Sequence, residues 1–399
     1  MNWLLPIIAV LAALGLLYPT LRERRAWRAM VTPLASIIGS GFLIVAPLLG
    51  TIAGKYAFLA MALTVVIAYG IGGIIRFNIR FGEPELAAGQ CPVLLHTERA
   101  GNLALTVAYV ISVTFYLRLM ASFILDGLGM HDKLAAQMLT TLVLLLIGLA
   151  GWRRGLRSLE ALETYSVSVK LAIIVALLIG LAHFDFNHPW NLDAIRTDSA
   201  SLVDRLRMLA GMLLVVQGFE TSRYMGAEYN AALRIRSMSQ AQWLSGLIYI
   251  GFVFLMLPLL PGLDAQQPRE TAIISLAGQA AWVLSPMLVV AAIMSQFSAA
   301  IADTVGAGGL LEEASRKRIP SRRAYPMITA LAIMLVWTSN VFEVVTLASR
   351  AFAVYYFIQA LIALQVIPEG YRWRKLCQFT LGVSSLMLLA VVLFALPIE

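Results

Sequence analysis

The chain has 399 residues, 60% of them hydrophobic and only 13% charged, with a net charge of +8. Soluble globular proteins carry about 25% charged residues, so this composition excludes an ordinary soluble protein and points to an all-α integral membrane protein. The positive balance lies in loops, where it marks topology rather than affinity for nucleic acid.

A bilayer core of about 30 Å needs about 20 apolar residues per helix, and on that measure the chain predicts about twelve transmembrane helices. The first, Trp3–Tyr18, has no basic residue ahead of it and no small-residue cleavage site, so it reads as a retained helix rather than a signal peptide. The second, Met30–Thr51, carries Ile38-Gly39-Ser40-Gly41-Phe42 at its middle, between Pro33 and Pro47. Each glycine weakens a helix by about 1 kcal/mol relative to alanine. The motif reads either as close helix packing through small residues or as an unwound segment whose free N–H groups and half-helix dipole hold an anionic group.

Ala57–Ile75, Leu103–Leu125, Leu134–Gly151 and Leu159–Ala182 follow, with a short surface connector over Arg80–Gly101. Arg118 and Lys170 lie inside two of these spans. A charge at membrane depth costs roughly 2.5–3.5 kcal/mol or more, and persists only with a partner, a cavity or a function. The seventh span, Leu206–Ala227, is interrupted by Gln217-Gly218-Phe219-Glu220-Thr221-Ser222. The last five are Gln240–Leu260, Ala281–Gly306 with Ser295, Ser298 and Asp303, Tyr325–Thr338, Phe342–Ile367 with Arg350, and Leu376–Pro397.

The two interruptions open successive five-span blocks, Met30–Ala182 and Leu206–Ile367. Five is odd, so the second block enters the membrane from the opposite side, which is the geometry of inverted repeats with discontinuous first helices. The expected organisation is an extra helix and basic loop over residues 1–28, a first repeat over 29–182, an outer loop over 183–205, a second repeat over 206–367 and a final helix over 368–399. Basic residues in alternate loops divide 21 to six, with Arg157 on the richer side and Arg196 on the poorer. The richer side is expected to be cytoplasmic, which leaves both termini outside.

Cys91 and Cys377 fall on the cytoplasmic side, where no disulfide is expected. His96, His131, His183 and His188 lie in loops without the spacing of a helical metal site, so neither a metal nor a cofactor is expected. An enzyme needs a positioned set of reactive groups, and none is evident at membrane depth. No phosphate-binding loop is present either, so any transport must run on an ion gradient or exchange.

Ile38-Gly39-Ser40-Gly41 resembles the glycine-rich first core helix of the amino acid, polyamine and organocation (APC) superfamily of transporters. Gly218-Phe219-Glu220-Thr221-Ser222, with Gly226-Ala227-Glu228-Tyr229-Asn230 and Arg234, is similar to that family's sixth core helix and the run after it. Ala314-Ser315-Arg316 through Ile319-Pro320 resembles the loop after its eighth. The similarity covers Met30 to about Ile367. One helix precedes the core and one follows it, where members usually have two after it, and Val215 and Val216 stand where many carry aromatic residues.

The resemblance implies a leucine-transporter-like fold with a 5+5 inverted-repeat core, in the plasma (bacterial inner) membrane. It implies secondary active transport of an amino acid or related small amine-carboxylate by alternating access. The substrate carboxylate would meet Gly39, Ser40, Gly41 and Phe42, and its amino group would meet Val216, Gln217, Gly218 and Phe219. Lys170 would stand where sodium-coupled relatives bind sodium, with Glu220 as a second group able to take a proton; Ser295 and Ser298 leave sodium open as the coupling ion. Arg118 and Arg350 either pair with acids such as Asp126 and Glu343 or select an anionic substrate. Asp303 is expected at a solvated cytoplasmic mouth. A same-fold transporter of an inorganic anion or other small solute and a non-transporting membrane sensor are the alternatives. The orientation is checked by labelling: in intact cells a membrane-impermeant thiol reagent leaves Cys91 and Cys377 unmodified while a tag at Met1 is accessible, and reaction of either cysteine before lysis rules this topology out.

Overall fold

A computed structural model describes residues 1–156, 163–195, 197, 200–263 and 269–397. Leu159, Arg157 and Arg196, named above as a span end and two loop charges, lie outside the described residues. Among the described residues the regular structure is helical, with no strands. In chain order come α1 (Leu4–Leu17), α2 (Arg25–Ser40), α3 (Phe42–Ala53), α4 (Ala57–Phe77), α5 (Pro92–Gly127), α6 (Lys133–Arg154) and α7 (Glu163–Asn187). The second half holds α8 (Leu202–Ala210), α9 (Thr221–Tyr224), α10 (Ala231–Met256), α11 (Ala272–Ala280), α12 (Leu284–Ala314), α13 (Ser321–Thr338), α14 (Val341–Gln365) and α15 (Arg374–Phe394).

Every predicted span contains helix. Eight helical stretches among the described residues are long and apolar enough to cross a bilayer. The number falls below twelve for physical reasons. The interrupted spans are divided into pieces, α1 has 14 residues, and α13 begins on Ser321-Arg322-Arg323.

Both predicted interruptions are present. Between α2 and α3 the helix stops at Gly41, with φ −154° and ψ 7°. Between α8 and α9 the chain makes a 3-10 turn at Leu213–Val216, leaves regular structure at Gln217 and Gly218, and turns through Phe219 and Glu220 into α9. Gly218 there has φ +114°, which a residue with a Cβ adopts only under strain.

At 36 residues α5 is the longest helix, and it packs most widely on α12 and α14. Tyr109, Phe115, Tyr116 and Phe123 are among the side chains it buries there. The two helices outside the core are placed alike. α1 lies on α7 and α15 lies on α14, the last helix of each five-span block. α6 and α15 expose leucines such as Leu142, Leu146, Leu386 and Leu393, as helices facing lipid do. At a loop, the hydrogen bond from Lys55 Nζ at 2.8 Å holds the Asp193 carboxyl below its ordinary range; both groups are exposed, so the pair adds little stability.

One helix was not expected. α11 is nine residues long, too short to register as a span, yet it buries Ile273, Ile274, Leu276 and Ala277. It packs on α3, α7 and α12, and Ser285 Oγ donates to its Ile274 carbonyl at 2.8 Å.

The two arginines inside spans are placed otherwise than expected. Arg118 Nη1 donates to the carbonyls of Val336, at 3.4 Å, and Ser339, at the carboxyl end of α13. Arg350 donates to the carbonyl of Ala395, just past α15. Neither ion pair considered for them forms. Asp126 accepts from Thr271 and pairs with His131, while Glu343 is engaged in a capping box with Asn340. The reason is local. The last carbonyls of a helix have no partner within it and carry the negative end of its dipole, and in lipid there is no water to satisfy them. Arg118→Leu strands such carbonyls in a buried place, so it should lower stability by about 1–3 kcal/mol; an unchanged thermal unfolding midpoint in detergent would show that the guanidinium is not a cap.

Candidate functional site

The two interrupted helices cross at their glycines. A Cβ on Gly41 would lie 2.7 Å from Val215 Cγ2 and 2.8 Å from Val215 Cα. One on Gly218 would meet the Ser36 backbone carbon at 2.7 Å. Each glycine thus lets its break approach the other chain closely. The room beside Gly41 is filled by Val215 in this conformation, so the open backbone expected there is closed by the crossing. Carbonyls freed by the first break find partners on neighbouring helices. Tyr249 Oη lies 2.9 Å from the Ile37 carbonyl and 2.8 Å from that of Val215, and Gln296 Nε2 donates to the Gly39 carbonyl at 3.0 Å. α3 then starts with no side-chain cap on its first N–H groups. Phe42 is buried against Tyr249 and Phe252, with ring centroids 5.4 and 4.4 Å away.

The second break carries the polar groups. Glu220 is wholly buried, and its Oε2 accepts from the Gly218 N–H at 2.9 Å and from Tyr356 Oη at 2.8 Å. A carboxylate that bonds the backbone of its own break fixes the shape of that break. Gln217 Nε2 donates to Tyr116 Oη at 3.1 Å, and Phe219 stacks on Tyr356 at 5.3 Å. Glu220 Oε1 and Gln217 Oε1 are buried acceptors with no hydrogen-bond partner. Val216, buried, ends the 3-10 turn just before them. Asp303 on α12 is 4% exposed, which overturns the expectation of a solvated mouth. It and Glu220 both act electrostatically on Tyr109 and Tyr116 of α5.

Lys170 comes from α7 to the last turn of α2. Its Nζ donates to the Ala35 carbonyl at 2.6 Å and lies 3.5 Å from Ser295 Oγ. A Cβ on Gly39 would sit 3.5 Å from the same nitrogen. The structure therefore brings together Lys170, Gly39 and Ser295. Ser298 is half-buried and has no hydrogen bond to Lys170. The charge network of Arg118, Arg350 and Asp303 does not assemble, because both arginines are spent on helix-end carbonyls.

A second polar cluster, missed in the sequence, lies where α9 and α10 meet the connector after α4. Arg234 grips Glu83 with two hydrogen bonds of 2.8 and 2.6 Å and also donates to the carbonyls of Tyr229 and Arg223. Arg223 pairs with Glu98 at 3.0 Å and donates to Gln359. In sequence both arginines counted as loop charges, yet they are 6% and 4% exposed. The only local signal was a carboxylate at Glu83 and another at Glu98, and nothing in the sequence says which arginine each meets. Tyr116, Tyr249, Gln296 and Tyr356 were likewise unmarked, since aromatic and amide residues in apolar helices look alike whether or not they face a break. A cavity near Tyr249, lined by Ile37, Ala68, Val216 and Gln242, measures about 10 Å³, room for about one water.

The family model described as APC superfamily transporter matches residues 19–395. An uncharacterized protein of Aquifex aeolicus (strain VF5) is 43% identical over 394 residues, 98% of this chain and 96% of that one. Crystal structures of two mutants of the Eremococcus coleocola manganese transporter resemble the fold with TM-scores of 0.59 and 0.58, at 14% identity, covering 92% of this chain and 87% of theirs. At that identity the likeness is one of fold. The crossing of the breaks is open to direct measurement: Gly41→Ala overpacks it and should cost about 1–3 kcal/mol, seen as a lower unfolding midpoint, with part of the loss regained in the double variant with Val215→Ala. Full stability of Gly41→Ala alone would contradict the contact.

Proposed function

The chain belongs to the APC superfamily of transporters, and from that premise we propose that it carries an amino acid or related small amine-carboxylate, with Lys170 as the proton-coupling group. The protein is a multi-pass membrane transporter with a leucine-transporter-like fold. The observation that carries the coupling reading is the Lys170 ammonium at the first interruption, 2.6 Å from the Ala35 carbonyl and beside Gly39 and Ser295. An ammonium there supplies the positive charge that a monovalent cation would otherwise bring beside the broken helix. Its charge-assisted bond ties α7 to α2, and loss of the proton weakens that tie, which links a proton to the position of the broken helix.

The substrate class is supported by the polarity of the two breaks. The amino end of α3 offers uncapped N–H groups and a positive dipole end, suited to a carboxylate. The second break offers buried acceptor oxygens, Gln217 Oε1 and Glu220 Oε1, suited to an ammonium. A zwitterion uses both. In this reading Gly39, Ser40, Gly41 and Phe42 meet the substrate when Val215 withdraws, and the closed crossing is the occluded form of alternating access. The inorganic-anion reading loses its motive, since Arg118 and Arg350 serve helix ends. Manganese, the cargo named for the structural relatives, finds no support in this chain's donors: among the described residues no three of His, Cys, Asp and Glu converge, and a hard divalent cation takes about six oxygen ligands.

Purified protein in liposomes tests the proposal. An inward proton gradient should drive uptake of at least one member of an amino acid panel without sodium, and Lys170→Ala should lose the dependence on pH while keeping exchange. Strict sodium dependence, or an unaltered pH profile in Lys170→Ala, would reduce Lys170 to a structural counter-charge; counterflow with an inorganic anion and no amino acid would refute the substrate class.

A further inference from the structure

The chain beyond α15 turns back onto the core. Arg207, on α8, donates from Nε to the Phe394 carbonyl at 2.9 Å, and the Leu396 N–H donates to the Arg207 carbonyl at 3.0 Å. From α14, Arg350 donates to the Ala395 carbonyl and Thr346 Oγ1 to the Leu396 carbonyl at 3.4 Å. Ala395 is fully buried. Beneath the tail, Ser349 Oγ donates to the Gly211 carbonyl at 2.7 Å, and a side chain on Gly211 would run into the Leu396 carbonyl oxygen. Three consecutive residues of the tail are thus bonded to two different helices. One of them, α8, is the half of the second broken helix that leads into residues 217–220, and it also touches α3, the half that follows the first break.

We propose that Phe394, the last residue of α15, with Ala395 and Leu396 after it, forms a latch that holds α8 against α14 and keeps the second broken helix closed at this face of the membrane. Separating α8 from α14 requires the tail to let go of one of them, because its bonds reach both. Two guanidiniums, Arg207 and Arg350, converge on the adjacent carbonyls of Phe394 and Ala395. Asp204 balances Arg207 at 3.1 Å. With the tail displaced both arginines lose these acceptors, so their bonds oppose release and hold the closed arrangement. The tail stays tethered through α15, so it re-forms its bonds without leaving the protein. The tail's hydrogen bonds to α8 and α14 are made by its backbone, while the side chains of Ala395 and Leu396 pack against the hydrophobic core. The inference does not depend on the identity of the substrate or the coupling ion.

A buried reporter tests it. In a protein with Cys91→Ser and Cys377→Ser, Ser349→Cys places a thiol under the latch, and its reaction with a hydrophilic maleimide in liposomes or detergent reads access from that face. The full-length double variant Thr346→Val with Arg350→Gln should react about tenfold faster or more, the change expected from losing one or two net hydrogen bonds, when measured well below its thermal unfolding midpoint, which loss of the Arg350 helix-end bond also lowers. A chain ending at Leu393 should react faster still; if that chain fails to fold, the full-length double variant decides alone. An unchanged rate in the double variant, or an equal gain in rate for a thiol buried away from the tail, as in Ser112→Cys on α5, would show that the tail is a structural brace and overturn the latch.

Discussion

Two breaks meeting backbone to backbone constrain everything else in this fold. Gly41 faces Val215 and Gly218 faces Ser36 at distances that leave no space for a Cβ. A continuous helix would satisfy its own carbonyls, but a broken one in an apolar surrounding must find donors elsewhere. Tyr249 and Gln296 supply them for α2, Lys170 bonds the Ala35 carbonyl one turn earlier, and Glu220 accepts the N–H of Gly218. The helices that bring those side chains, α7, α10 and α12, are therefore fixed in place by the needs of the breaks. Motion at the crossing carries them with it.

The two arginines at membrane depth share one solution. Arg118 and Arg350 donate to backbone carbonyls at helix ends, and Lys170 donates to the Ala35 carbonyl. Helix ends provide partial negative charge and unsatisfied oxygens in the same place, and they do so without bringing a second full charge into a medium that penalises it. The distinction between the arginines and the lysine lies in what they hold. The arginines close helix ends at the rim of the core, while Lys170 holds the turn that precedes a break.

The two faces of the protein are tied differently. On one, Arg223 and Arg234 reach Glu98 and Glu83 through charged hydrogen bonds that join α9 and α10 to the segments around α4 and α5. On the other, a stretch of chain after α15 spans α8 and α14 through its backbone. Alternating access needs ties that break in turn. Charged pairs respond to solvent entry and salt, whereas a backbone clasp responds to the position of the helices it joins.

The sequence by itself determined the helical class, the spans and both breaks. Apolar runs and glycine chemistry act within a few residues of chain, so they can be read along it. Lys170 was legible as a charge in need of a partner, and the family resemblance supplied its neighbourhood. The partners themselves were decided by tertiary structure. Arg118 meets Val336 across 218 residues, Lys170 meets Ala35 across 135, and Leu396 meets Arg207 at the far end of the chain. α11 escaped because nine residues are too few to span, and its burial comes from α3, α7 and α12. Arg223 and Arg234 looked like solvated loop charges until the fold brought carboxylates to them. A residue's type and spacing fix what it requires, but which distant atom meets the requirement depends on how the helices cross, and that is a property of the assembled bundle.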